Sequence, residues 1–171
     1  MRQAQFTDVL RKVPLVVSVV TVGRGGVENG LTVSWACPVS FDPPQFMIAV
    51  DRHHYSVDFL KSTKNFAVNV LRSDQVKLAG HFARQSMSGE EKLAAFATRE
   101  SATGAAILAD AVAYIDCELA NVVETGDHLL FIGNVVDAGI LHDDEALSTT
   151  QAGLRYQKAG PVIGTTPEVR R

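Results

Sequence analysis

Apolar and polar positions alternate along this chain in short blocks, and the blocks predict mostly strands. Val13 to Val22 is a β-branched run interrupted by Pro14, Ser18 and Thr21, and it predicts the first strand. Before it, Phe6, Val9 and Leu10 share one face of a short helical turn. Gly23-Arg24-Gly25-Gly26 reads as a turn. Asn29-Gly30 is a second turn signal, because both residues tolerate positive φ. Leu31 to Trp35 favours a strand through Thr, Val and Trp. Asp42-Pro43-Pro44 is a stiff corner that cannot continue a ladder, and Phe46 to Val50 resumes as a strand. Asn65 to Leu71 alternates Phe66, Val68 and Val70 against Asn69. Ile107 to Glu124 reads as a long strand with Ala113, Ile115, Cys117 and Leu119 on one face. Leu129 to Ile140 forms its antiparallel partner across Glu124 to His128.

Helical spacing is confined to short stretches. Ser56 is expected to cap a helix running through Lys61, with Asp58 in its first turn. Asp74 is expected to cap a helix that carries Val76, Leu78, Ala79, Phe82 and Ala83 near one face. Arg84 to Lys92 is polar and reads as a mobile loop, and alanine-rich Leu93 to Thr103 as partly helical. Leu154 to Gly160 makes a C-terminal arm, and Thr165 to Arg171 a loose tail. No long helix separates two strands, so parallel βαβ wiring is disfavoured and an antiparallel barrel favoured.

Composition narrows the class. A chain of 171 residues, 46% hydrophobic, is expected to be one domain with a real core, spanning about 14 to 160. Net charge is −3 with no basic block, so no nucleic-acid partner is expected. The longest apolar run is too short for a bilayer, which takes about 20 residues, so no membrane partner is expected either. Cys37 and Cys117 are the two cysteines, and sparse cysteine points to free thiols in a reducing compartment. With no leader-like N-terminus, the protein is expected to be cytoplasmic. The five histidines, His53, His54, His81, His128 and His142, form no metal pattern, and no metal is expected. Helix N-termini attract phosphate, so Arg52, His53 and Ser56 could grip one.

Asn29-Gly30-Leu31-Thr32-Val33-Ser34-Trp35, followed by Pro38-Val39-Ser40-Phe41-Asp42-Pro43-Pro44, resembles the signature of the flavin reductase-like, FMN-binding split-barrel family. Asn65 to Leu71 and Gly126-Asp127-His128 extend the resemblance over most of the chain. It implies a six-stranded antiparallel Greek-key split β-barrel, mainly β with a few short helices. It also implies a homodimer with flavin near the interface. The implied activity is an oxidoreductase that takes hydride from NADH or NADPH and passes it to FMN or FAD. Such a protein often supplies reduced flavin to a separate monooxygenase partner. An FMN-binding electron carrier of flavoredoxin type, reduced by a protein, is the alternative. A third possibility is a dimeric binding module with a vestigial site.

The resemblance also carries residues. It places Asn29, Gly30, Leu31, Thr32, Val33 and Ser34 at the flavin, where backbone N–H groups near Thr32 to Ser34 could bond the ring edge and stabilise charge building there on reduction. Val50, Asp51, Arg52, His53 and Ser56 follow the next strand, where the family places phosphate contacts. Phe82 and Arg84 lie at a family-like helix end. Asp127 and His128 belong to the Gly-Asp-His element, with His128 near the flavin face as the catalytic candidate. Tyr156 resembles a C-terminal tyrosine by the site. The family often adds a second aromatic after the following glycine, but Pro161 and Val162 stand in that region. Hydride transfer asks the protein for position more than for acid or base groups. No Ser/His/Asp or paired-carboxylate set is present.

Overall fold

The computed structural model describes residues 3–24, 27–84, 92–157 and 160–163. Helix α1 spans Gln3–Leu10. Strands β1 (Ser18–Arg24) and β2 (Val27–Val33) form a hairpin in which Arg24 pairs with Val27. β3 (Ala36–Phe41) and β4 (Pro44–Asp51) form the next, and α2 spans Ser56–Thr63. Then come β5 (Asn65–Val70), α3 (Val76–Ala83), β6 (Thr98–Glu100) and β7 (Ala106–Leu108). The long hairpin of β8 (Ala113–Glu124) and β9 (His128–Ile140) follows, then the short one of β10 (Leu154–Gln157) and β11 (Gly160–Ile163).

The main sheet is antiparallel and runs β2-β1-β5-β8-β9-β4-β3. Its two edge strands are consecutive in the chain, with only Ser34-Trp35 between them. Strands at opposite edges can be that close in sequence only if the sheet curls back on itself. Ser34-Trp35 is therefore the corner at which the chain passes from pairing with β1 to pairing with β4. The Ala49 N–H donates to the Trp35 carbonyl at 2.8 Å across this corner.

The curled sheet encloses one core, in which Val20, Leu31, Ile48, Phe66, Cys117 and Phe131 meet, and α2 plugs it with Val57 and Leu60. A second core lies on the other face of β1, where Val17 and Val19 meet Leu71, Phe82, Leu108 and Leu147. β1 thus buries both faces. That explains why its sequence is a continuous apolar run instead of an alternating one. Each fully buried aliphatic or Phe side chain here stabilises the fold by about 1.5–3 kcal/mol. The buried Asn69 ties the two layers: its Nδ2 donates to Val19 O at 3.1 Å and its Oδ1 accepts from Leu108 N at 2.8 Å.

Several local expectations are corrected. The sheet has seven strands, one more than six, because Ala36–Phe41 pairs with β4 as an edge strand instead of staying a loop. Pro38 fits there because an edge strand tolerates a missing donor. Asn29-Gly30 is no turn: it lies inside β2, opposite Val22 and Thr21. Of the turn expected over Gly23 to Gly26, positions 25 and 26 lie outside the described residues. Leu93 to Thr103 forms turns and β6, with no helix; Leu93 and Phe96 turn into the second core while its alanines are exposed. Neither expected cap forms. Tyr55 precedes α2 and Gln75 precedes α3, without side-chain caps. Asp74 instead pairs with Arg72 at 2.7 Å. The loop expected over 84–92 falls largely, and the tail after 163 wholly, outside the described residues.

Candidate functional site

β2 is an edge strand, so half of its backbone groups face away from β1. The Gly30 N–H is bonded to Asn29 Oδ1 at 2.8 Å, off the ladder. Antiparallel pairing alternates inward and outward groups. The Thr32 N–H shares the outward direction of the Gly30 N–H, away from β1, and the edge leads on to the corner. Leu31 and Val33 place their side chains in the first core.

Asn29 pins this strand to the start of α2. Its Nδ2 donates to Ser56 Oγ at 3.0 Å, and its Oδ1 also accepts the Tyr55 hydroxyl at 2.5 Å. Ser56 is fully buried in this clamp, which explains why it does not cap. Thr32 is buried too, its hydroxyl donating to Ala79 O on α3 at 2.7 Å, and Ser34 is equally enclosed. The Thr32 hydroxyl is thus spent on α3 and is not available to a ligand.

α3 sits against β2 through Phe82. A Cβ added at Gly30 would lie 2.5 Å from Phe82 Cε1, so only glycine admits this ring. Arg84 follows α3 as its exposed, extended end residue. Next to it lies a group the sequence hid. Lys92 is 3% exposed, and its ammonium donates to the carbonyls of Arg84 and, at 3.5 Å, Phe82. It stands 5.7 Å from the centre of the Tyr55 ring. No described carboxylate pairs with it. His54 stacks on Tyr55 at 4.8 Å, and its Nδ1 accepts the Ser56 N–H at 3.2 Å. Burial, then the nearby Lys92 charge, push the His54 pKa down, with Asp51 opposing them.

The other end of the edge is built by β4 and the β8–β9 hairpin. Val50 is buried in the first core, and Asp51 lies opposite His128. Asp51 Oδ1 accepts the His53 N–H at 2.8 Å, leaving the His53 ring exposed. Arg52 braces the hairpin: its N–H donates to Asp127 O at 3.0 Å and its Nη2 to Thr125 O at 2.7 Å. The His128 Nδ1–H donates to Asp127 Oδ1 at 2.6 Å, and this bond holds the Asp127 carboxyl below the usual range. The His128 ring lies 4.7 Å from the Trp35 ring, tilted by 34°. Tyr156 pairs through its backbone with Pro161 in β10–β11; its side chain lies outside the described residues.

The fold thus brings Ser56 to Asn29 on one face of β2 and Phe82 to Gly30 on the other. Asp51, Arg52, Asp127 and His128 gather at the corner, while His53 points away. Sequence reasoning missed Tyr55, His54 and Lys92 as neighbours of the edge, and it passed over Trp35 as a partner of His128. The adjacency of Trp35 to Ser34 was the one available signal.

Comparison with known proteins agrees with this geometry. Residues 10–159 match the flavin reductase like domain. The actinorhodin polyketide dimerase of Streptomyces coelicolor is 37% identical over 166 residues, covering 96% of this chain and 91% of its own. The solved NADH:FAD oxidoreductase SgcE6 of Streptomyces globisporus superposes with a TM-score of 0.82 at 32% identity, over 87% of this chain and 89% of that one. BorF, the flavin reductase component of a bacterial two-component tryptophan halogenase, gives 0.79 at 27% identity, covering 88% and 94%. The chain also matches diflavin flavoprotein A 1 of Synechocystis sp., of whose length it spans 22%. With its barrel, its open β2 edge and a matched region running through both, the chain belongs to the flavin reductase-like family.

Proposed function

We propose that this chain is an NAD(P)H-dependent flavin reductase, moving hydride from NADH or NADPH to FMN or FAD. The observation that carries the reading is the outward side of the β2 edge at Gly30 to Thr32, with the Lys92 ammonium held near the Tyr55 end and the Trp35–His128 contact at the corner end. Such a backbone edge suits the polar side of a flat ring, and backbone donors stabilise negative charge developing on it. The bound flavin supplies the hydride-accepting chemistry; the chain supplies position.

Each residue then has a task. The β2 edge holds the ring, and the clamp of Asn29, Tyr55 and Ser56 keeps that edge rigid. Lys92 and Arg84 are the cations placed for a flavin phosphate, because a buried ammonium with only carbonyl partners is well suited to an anion. Arg52, expected to reach a phosphate, serves instead as the brace of the hairpin that carries His128. His128 orients the nicotinamide, and Asp127 fixes its tautomer by accepting from Nδ1.

The NADH-named relative and the halogenase reductase support a reductase that hands reduced flavin to a separate monooxygenase-type partner. A homodimer is part of the proposal. Phe41 and Ile140 are 95% and 82% exposed, an unusual state for such large apolar side chains, and a second subunit would cover them. Light scattering tests the dimer. A steady-state assay tests the activity: NADH or NADPH oxidation should require added flavin. A yellow protein indifferent to both nucleotides would refute the reductase and favour a protein-reduced carrier.

A further inference from the structure

We infer that Trp35 is a positioning residue for His128, holding the plane of its imidazole. The inference rests on the proposed role of His128. The histidine begins β9 at the tip of a hairpin, where a side chain would ordinarily turn freely. Two contacts remove that freedom. Asp127 accepts from Nδ1 at 2.6 Å, which fixes the tautomer but permits rocking about the bond, since Asp127 is itself largely exposed. Trp35 lies 4.7 Å away on the ring face, which fixes the plane. Among the described residues Nε2 has no hydrogen-bond partner. The two contacts therefore present one nitrogen in one direction.

The placement follows from the fold. Trp35 sits at the corner between β2 and β3, and the Ala49 N–H anchors its carbonyl at 2.8 Å. The same β4 strand pairs Asp51 with His128. One strand thus sets the separation of both rings.

The chain contains a single tryptophan, so its emission reports this contact directly. His128→Asn removes the imidazole from the indole face, so the emission of the flavin-free variant should differ from the parent's in intensity and wavelength. An emission spectrum unchanged in this variant would overturn the contact. In kinetics, Trp35→Leu should slow nicotinamide-dependent flavin reduction by roughly 10- to 100-fold, as expected for a misplaced orienting group. Flavin affinity should stay within about twofold, and Trp35→Phe should recover most of the rate. The Trp35→Leu/His128→Asn double variant should be no slower than His128→Asn alone. Multiplying losses would overturn the inference. If His128→Asn keeps full rate, the role of His128 itself falls; if it is slow while Trp35→Leu is not, only the role of Trp35 falls.

Discussion

Replacing Gly30 by alanine probes the contact on which the β2 edge depends. The added Cβ would meet Phe82 Cε1 and Cδ1 at 2.5 and 2.6 Å, where ordinary contact begins near 3.4 Å. The ring edge would have to retreat by about 0.9 Å. It has nowhere to go: Phe82 is 1% exposed, with Phe96 at 5.4 Å and His81 at 5.0 Å between ring centres. Overpacking of this kind costs about 1–3 kcal/mol. For a chain of this length that lowers Tm by about 2–12 °C. Gly30 lies in ordinary strand conformation, so the whole loss belongs to the ring and none to backbone strain.

The consequence reaches the site, because the same face of β2 is tied to α3 by the Thr32 hydroxyl on Ala79 O. Pushing α3 away disturbs the strand whose outward N–H groups are proposed to hold the flavin. Gly30→Ala should therefore weaken flavin binding as well as stability. Calorimetry and a flavin fluorescence titration measure the two effects. Phe82→Leu in the same chain removes the offending ring edge, so the double variant should lose less than the sum of the single losses, by about 0.5–3 kcal/mol. A Gly30→Ala protein within about 0.5 kcal/mol of the parent, or strictly additive losses, would refute the argument.

Other expectations can be checked together. His128→Ala should slow nicotinamide-dependent reduction in stopped flow while leaving the flavin Kd nearly unchanged. Lys92→Met should weaken FMN binding more than riboflavin binding; equal losses by titration would remove the phosphate role. His54 is half-buried with a lowered pKa, so the unfolded chain binds more protons than the folded one as pH falls below about 6.5. Its contribution is present above that value and lost below it, and denaturant midpoints should fall on acidification, less so in His54→Asn. Cys117 is buried and pushed up to about 12, mainly by desolvation and then by Asp116, whereas Cys37 is exposed. A thiol reagent at pH 8 should titrate one group in the native protein and two after unfolding.

Strands were legible where apolar side chains alternate along the chain, even in β5, which is buried on both faces. β5 and β9 emerged with near-correct ends, since Phe66 and Val68, and Phe131 and Gly133, face the first core as the alternation requires. The motifs of the family placed the candidate edge at 29–34 and the histidine at 128. Three features were illegible for physical reasons. Asn-Gly signals a turn only when positive φ is needed, and here the glycine makes room for Phe82, a residue 52 positions away. Ser56 reads as a cap locally, but the hydroxyl is used by Asn29 across the barrel. Lys92 sits in a polar stretch that predicts solvent exposure, yet it reaches inward to the carbonyls that end α3. Each depends on a long-range partner that no local pattern encodes.

The position of the site follows from how the sheet closes. A barrel whose last two edges are consecutive strands must leave one edge incompletely paired, since Ser34-Trp35 is too short to let β2 run alongside β4 for its whole length. Unpaired strand edges invite association, and this chain answers by covering β2 with α3 and α2. Under the proposed function a planar ligand with acceptors along one side meets the outward side of β2 without adding a strand. The closure that stabilises the fold therefore also produces the cleft. Variants that lengthen the corner, such as two glycines inserted between Ser34 and Trp35, should let β2 and β4 pair further. They should lose flavin affinity while keeping or raising Tm, and a lower Tm with intact flavin binding would show that corner length does not set the cleft.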